Sequence, residues 1–133
     1  MKKEFFSPPN VFNSHKKWGY HQAVKAGNTI YLAGQVALDE NGEVVGKGDF
    51  EAQHRQCFEN IRRILAAAGA KMSDIVWILW FLKDMREGSK VRTLPAYREY
   101  FGKNDPPGTC VQISNLGTPE LLLEVQVIAV IDD

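Results

Sequence analysis

The chain has 133 residues, and its 16 Lys and Arg residues balance 16 Asp and Glu residues, so its formal net charge is zero. This length suits one domain, residues 1–133, that buries about two-thirds of its unfolded surface. The neutral balance argues against nucleic-acid binding, which needs clustered basic charge. No stretch approaches the roughly 18 apolar residues of a membrane span, and no signal-peptide pattern begins the chain. We therefore expect a cytoplasmic protein without membrane contact, whose two cysteines are free thiols.

The first part of the chain predicts an irregular arm followed by a hairpin. Residues 1–17 contain a Pro-Pro-Asn run and little periodicity, so we expect an irregular N-terminal arm. Residues 21–25 and 29–36 have strand-like composition, and the Ala-Gly-Asn turn at 26–28 joins them. A short edge segment is expected at residues 43–45.

The clearest element is a helix that begins after Asp49. Asp49 is a suitable N-cap, and Gly69 is a suitable stop. Between them the apolar residues recur at helical spacing, namely Phe50, Phe58, Ile61, Ile64, Leu65 and Ala68.

Residues 76–82 form an apolar run whose length and aromatic content predict a strand buried on both faces. A second helix is expected over roughly residues 91–101, with Pro95 in or before its first turn and Gly102 at its end. Two more strands complete an α+β fold, a mixed and mainly antiparallel sheet with two helices on one face. Two helices cannot cover the other face, so we expect oligomerisation through it.

The last strand carries polar residues among aliphatic ones. Glu124 and Gln126 share one face, whereas Leu123, Val125 and Val127 point to the other. A carboxylate and an amide on one face of such a strand indicate either a solvated face or a polar site. Both interpretations stay open on this pattern alone.

An ordered set of segments over about residues 18–130 resembles the YjgF/RidA family. The segments are WGYHQAV at 18–24, GNTIYLAGQV at 27–36, AQHRQCFENI at 52–61, AAG at 67–69, FLKDM at 81–85, DPPGTCVQI at 105–113 and LLLEVQVIAV at 121–130. The resemblance implies a chorismate-mutase-like fold, a homotrimer with clefts between subunits, and hydrolysis of small reactive enamines or imines. It implies no metal and no organic cofactor.

The resemblance also implies roles for particular residues. The glutamate that matches Glu124 orients the attacking water, and the cysteine that matches Cys110 helps to hold the ligand through its backbone N–H. Tyr20 matches a tyrosine that lines the pocket. Ala33 stands where the family often has serine, and Gly34 permits close backbone approach to a ligand. A positioned carboxylate suits the activation of water against an electrophilic carbon.

One position departs from the family pattern. Gly108 stands where the family's deaminases carry an arginine that grips the substrate carboxylate. Two explanations compete. The ligand is uncharged or differently shaped, or another cation fills the role. Arg92, near the start of the second helix, is the candidate cation, although an alternative alignment places Leu94 there.

The leading hypothesis is therefore hydrolytic deamination of a small enamine or imine, and two other classes stay open. One is a non-catalytic protein that binds a small metabolite in the cleft, and the other is an endoribonuclease. The neutral charge and the lack of a basic groove weigh against ribonuclease activity. His15, His21 and His54 have no metal spacing, so surface or packing roles are expected for them.

Overall fold

Six strands form one sheet in the computed structural model of the protein, which describes residues 2–132. The elements, in chain order, are strand β1 (Lys3–Phe6), helix α1 (Ser14–Trp18), strands β2 (Ala23–Ala26) and β3 (Thr29–Leu32), helix α2 (Phe50–Ala67), strand β4 (Ile75–Leu82), helix α3 (Pro95–Phe101), and strands β5 (Gly108–Gln112) and β6 (Leu123–Val130). Short 3-10 turns cover Met72–Asp74 and Met85–Lys90.

The sheet order is β1-β2-β3-β6-β4-β5. β4 and β5 pair in parallel, and the other neighbouring strands pair antiparallel. The parallel pair is joined through α3, as a parallel connection requires a crossover. This arrangement confirms the predicted mixed, mainly antiparallel sheet. None of the helices within residues 2–132 is both long enough and apolar enough to cross a membrane.

The capping residues define α2 and the end of α3 as the sequence predicts. The Asp49 carboxylate accepts a hydrogen bond from the backbone N–H of Ala52 at 3.1 Å. Gly69, just beyond the end of α2, has a φ of +83°, which glycine adopts without a Cβ clash. α3 begins at Pro95, where the missing N–H costs nothing, and ends at Gly102.

The hydrophobic core lies between the helices and one face of the sheet. α2 contributes Phe58, Ile61, Ile64 and Leu65, all fully buried. The facing strand β4 contributes alternate residues, of which Trp80 is 1% exposed. Burial of one large apolar side chain contributes about 1.5–3 kcal/mol, so this layer dominates the stability of the fold.

The second face of the sheet is apolar but has no cover within the chain. Cross-strand pairing aligns Phe5, Val24, Tyr31, Ile128 and Trp77 in one row over five strands. Phe5 is 59% exposed and Tyr31 is 48% exposed. The strand that was expected to be buried on both faces is therefore covered by helices on one face only, and Leu79 and Phe81 lie half-buried on the other.

The N-terminal arm is ordered, so the prediction of an irregular segment over residues 1–17 is wrong for the described part. β1 pairs antiparallel with the edge of β2, and α1 begins after Asn13, whose side chain accepts a hydrogen bond from Lys16 N. β1 has no internal pattern that marks it as a strand. It forms because β2 offers it a free edge, which is a tertiary cause.

Four elements also have other bounds than predicted. β2 covers Ala23–Ala26 rather than residues 21–25, and β3 ends at Leu32, although Gln35 makes an isolated bridge with Val125. The expected edge segment at residues 43–45 is reduced to a single bridge between Leu38 and Val44. The second helix starts at Pro95 instead of residue 91, because a 3-10 turn occupies the preceding segment.

Candidate active site

Glu124 lies on β6 and points to the face of the sheet that the helices do not cover. Its neighbours Leu123 and Val125 are fully buried in the core, so alternation along the strand turns Glu124 away from the core. The side chain is half-buried, and this burial raises the pKa of its carboxyl group. A raised pKa brings a carboxylate closer to the range in which it acts as a general base near neutral pH.

The Glu124 carboxylate lies directly against the backbone of Gly34. A Cβ atom built on Gly34 would be 2.0 Å from Oε2 of Glu124 and 2.6 Å from its carboxyl carbon. Every residue other than glycine at this position would collide with the carboxylate in its present place. Ala33, the preceding residue, is half-buried, and its N–H donates to Gln22 O at 2.8 Å.

The N-terminal arm positions Tyr20 near Glu124. Gly19 ends α1 with a φ of +88°, and the hydroxyl of the buried Ser14 donates to Tyr20 O at 2.7 Å. Burial, and secondly the negative charge of Glu124, raise the pKa of the Tyr20 phenol. Tyr20 therefore lies within electrostatic reach of Glu124, while 45% of its surface is exposed.

A groove of about 440 Å³ opens beside these residues. Tyr20 and Ala33 line one part of it, and the exposed rings of Phe5 and Tyr31 line another. Its lining contains no Lys or Arg among the residues the structure describes. The groove thus offers aromatic surface and room for a small ligand beside Tyr20 and Ala33, while Glu124 and Gly34 are not part of its lining.

Gly108 and Cys110 lie on β5 at the edge of the sheet. A Cβ atom on Gly108 would be 1.7 Å from Ile78 O, so the close pairing with β4 requires glycine here. Burial raises the pKa of the half-buried Cys110 thiol, and the Arg92 cation opposes this shift only in part. The thiol is therefore not activated as a nucleophile.

Arg92 lies on the helix side of β4 and β5. Its guanidinium group stacks over the Trp80 ring at 5.0 Å, and its terminal nitrogens donate to Tyr97 Oη at 2.7 Å and to Pro106 O at 2.5 Å. These contacts fix the loop that leads into β5. Leu94, the alternative candidate, is the N-cap of α3 and lies beside the start of α2.

The structure separates the predicted site residues into two groups. Trp80 pairs with Cys110, and the next residue, Phe81, pairs with Glu124. Because successive residues of a strand point to opposite faces, Cys110 and Glu124 point to opposite faces of the sheet. One group consists of Glu124 with Tyr20, Ala33 and Gly34. The other group consists of Cys110 with Arg92 and Gly108.

Two buried amides near the site were missed by the sequence analysis. Gln22 and Gln35 are 5% and 4% exposed, and they are hydrogen-bonded to each other at 2.7 Å. The only signal in the sequence is that each glutamine sits among apolar residues of a predicted strand. That pattern does not distinguish a buried amide from one on a solvated face.

The remaining candidates have packing roles. Both cysteines are free, and Cys57 is fully buried on α2. His54 is also fully buried, and its Nε2 donates to Val91 O at 2.9 Å. Within residues 2–132 no group of three or more His, Cys, Asp or Glu side chains is placed to hold a metal ion.

The fold and this site together define a class: an α+β domain with helices on one face of a mixed sheet and a glutamate on the other face beside a glycine backbone. Residues 14–131 match the family model described as endoribonuclease L-PSP. The chain belongs to this family, which is also called YjgF/RidA.

Relatives and solved structures agree with this assignment. A RutC family protein of Pyrococcus horikoshii is 42% identical over 111 residues, which are 83% of this chain and 85% of that protein. The 3-aminoacrylate deaminase RutC of Acinetobacter baylyi is 37% identical over 110 residues, with 83% and 85% covered. The crystal structure of the YjgF gene product of E. coli superposes with a TM-score of 0.83 at 29% identity, covering 96% of this chain and 98% of that one.

Proposed function

We propose that the protein hydrolyses a small reactive enamine or imine and that Glu124 is the general base. The observation that carries this proposal is the half-buried Glu124 carboxylate, which lies against the Gly34 backbone and beside Tyr20 with a raised pKa. The similarity to a relative named 3-aminoacrylate deaminase supports the same chemistry, since 3-aminoacrylate is an enamine.

The reaction needs only acid–base steps. An enamine first takes up a proton from solvent at carbon and becomes an iminium ion. Water then attacks the iminium carbon while Glu124 accepts one of its protons, which gives a neutral carbinolamine. Glu124 returns this proton to the nitrogen, the C–N bond breaks and ammonia leaves, and the hydroxyl group releases its remaining proton to solvent as the carbonyl forms. A positioned general base contributes typically about 10²- to 10⁴-fold to such a step.

We further infer that the complete site lies between subunits of a homotrimer. Glu124 lies on β6 and Cys110 on β5, with β4 between the two strands, and their side chains point to opposite faces of the sheet, which favours a site completed by a second copy of the chain. The open apolar row from Phe5 to Trp77 is a surface that soluble monomers rarely expose. A neighbouring copy that covers this face would bring its own Cys110 backbone N–H to the cleft.

The substrate class follows from Gly108. β5 carries no arginine, and the described lining of the groove beside Tyr20 has no Lys or Arg, so these residues offer an uncharged substituent better contacts than a carboxylate. Arg92 remains the candidate for a replacement cation, because two of its five N–H groups are used on Tyr97 and Pro106 and the others are spare.

The test uses imines made in situ. An amine oxidase supplies uncharged imines, an amino-acid oxidase supplies carboxylated ones, and semicarbazide traps whatever the protein does not hydrolyse. We expect semicarbazide to trap less imine when the wild-type protein is present. The Glu124→Gln variant should not reduce the amount of trapped imine.

One observation favours a non-catalytic binding protein as the second candidate. The missing arginine at Gly108 removes a contact that the resembled deaminases use to grip substrate, while the groove beside Tyr20 remains. If the protein only binds a ligand, it accelerates the hydrolysis of none of the imines made by the two oxidases, and Glu124→Gln changes ligand affinity only.

A further inference from the structure

Gln22 and Gln35 form a buried pair directly behind the Glu124 site. Gln35 Nε2 donates to Gln22 Oε1 at 2.7 Å and to Ala33 O at 3.0 Å. Gln22 Nε2 donates in turn to Phe12 O at 2.9 Å. A buried amide left without partners costs about 1–3 kcal/mol, so both side chains strongly favour this one arrangement.

Main-chain hydrogen bonds of Gln35 and of Gln22 connect the pair to the residues of the candidate site. The backbone of Gln35 exchanges two hydrogen bonds with Val125, at 2.7 and 2.8 Å. Gln35 follows Gly34 and Val125 follows Glu124, so this bridge fixes the glycine backbone against the carboxylate. At the other end, Gln22 lies two residues after Tyr20, and its main-chain oxygen accepts from Ala33 N–H.

We propose that Gln22 and Gln35 are positioning residues, which hold the Gly34 backbone and Tyr20 at a fixed separation on either side of the Glu124 carboxylate. This inference rests on the proposed function of Glu124. An apolar pair could fill the same space, but it would not select one orientation, because only the directional amide bonds connect the main-chain oxygens of Phe12 and Ala33 to each other.

The double variant Gln22→Met/Gln35→Met tests the positioning role without leaving an orphan amide. Replacement of both partners by apolar groups of similar shape is nearly neutral for stability, whereas either single change removes the amide–amide bond and leaves the remaining amide with only its main-chain partner, Phe12 O or Ala33 O. We expect the double variant to fold and to keep a melting temperature closer to wild type than either single variant. Its kcat/KM should fall about ten- to a hundredfold, since small displacements of a site are costly.

The matched control is Asn104→Leu. The Asn104 amide also donates two hydrogen bonds to main-chain oxygens, Met72 O and Ile75 O, both at 3.0 Å. Ile75 begins β4, at the opposite end of the strand from Phe81, which pairs with Glu124. This variant should lose stability and keep its kcat/KM. A fall in kcat/KM equal to that of the double glutamine variant would mean that general loosening, and not positioning, explains the effect.

A second readout does not depend on turnover. The titration of Glu124 is followed by NMR with ¹³C-labelled glutamate, and Glu124→Gln identifies its resonance. In the double glutamine variant the apparent pKa should move down toward the usual range of a carboxyl group, because displaced walls admit water to the carboxylate. An unchanged titration together with a wild-type kcat/KM would overturn the proposal. If the wild-type protein has no turnover, the proposed function fails, and this titration alone decides the positioning role.

Discussion

Oε2 of Glu124 occupies the place where a side chain on Gly34 would begin, 2.0 Å from an ideal Cβ atom. The contact joins β6 to the end of β3 through a carboxylate and a bare backbone. The carboxylate can occupy this position only because residue 34 has no side chain. The effect of one added methyl group at residue 34 can therefore be predicted.

Gly34→Ala should preserve the fold and displace the carboxylate. The colliding atoms are at the end of a flexible side chain, so Glu124 can rotate away at small cost to stability. We expect a loss of about a hundredfold in kcat/KM, since misplacement by about 1 Å has that order of effect. Gly117→Ala is the control, because nothing lies within 4 Å of its added Cβ. Equal activity of the two variants would show that the position of the carboxylate is unimportant.

Small carboxylated imines, such as the 2-iminoacids made from serine or threonine, should be poor substrates. Loss of a charge-assisted bidentate contact costs a few kcal/mol, or about two orders of magnitude in rate. Gly108→Arg should not restore them. Its Cβ would meet Ile78 O at 1.7 Å, so thermal unfolding should show a destabilised protein.

Strong turnover of those carboxylated imines would mean that another cation replaces the missing arginine. Arg92→Ala should then abolish it. If activity on the carboxylated imines survives that change, Arg92 has only its packing role on Trp80 and Tyr97.

Assembly through the open face should give about three times the 15.0 kDa chain mass by light scattering at micromolar concentration. Leu79→Glu should dissociate the assembly and leave the secondary structure intact, because Leu79 lies half-buried on that face. Trp80→Glu should instead unfold the chain, since it places an unpaired charge in the core. A wild-type monomer at this concentration would refute both the assembly and the shared cleft.

His54 should make the fold sensitive to acid. Burial lowers the pKa of His54 from 6.5 to about 4 in the folded protein. The stabilising effect of keeping this ring neutral is fully present above pH 6.5 and is lost as the pH falls from 6.5 toward 4, by about 3 kcal/mol in all.

Urea unfolding at pH 7, 5.5 and 4.5, at one protein concentration, measures this loss. His54→Gln keeps a donor for Val91 O but does not titrate, so its stability should change less over the same range. An identical pH dependence in the two proteins would assign the acid sensitivity to other groups.

Local signals predicted α2 and α3 but not α1, and tertiary contacts explain much of what the sequence analysis missed. Asp49 and Pro95 act within one helical turn, so the sequence alone locates them. β1 depends on the free edge of β2, more than 15 residues away along the chain, and the reason for glycine at 108 is the carbonyl of Ile78 on a neighbouring strand. Likewise, the alternation along β6 predicts the face of Glu124, but no pattern predicts its contact with Gly34.

The measurement that tests the central claim most directly is the rate of imine hydrolysis by Glu124→Gln. The amide has nearly the shape of the carboxylate but cannot accept a proton from water. We predict an unchanged fold, assembly and ligand affinity, and a loss of turnover of about 10²- to 10⁴-fold. A Glu124→Gln variant that hydrolyses the same imines at the wild-type rate would contradict the assignment of Glu124 as the general base.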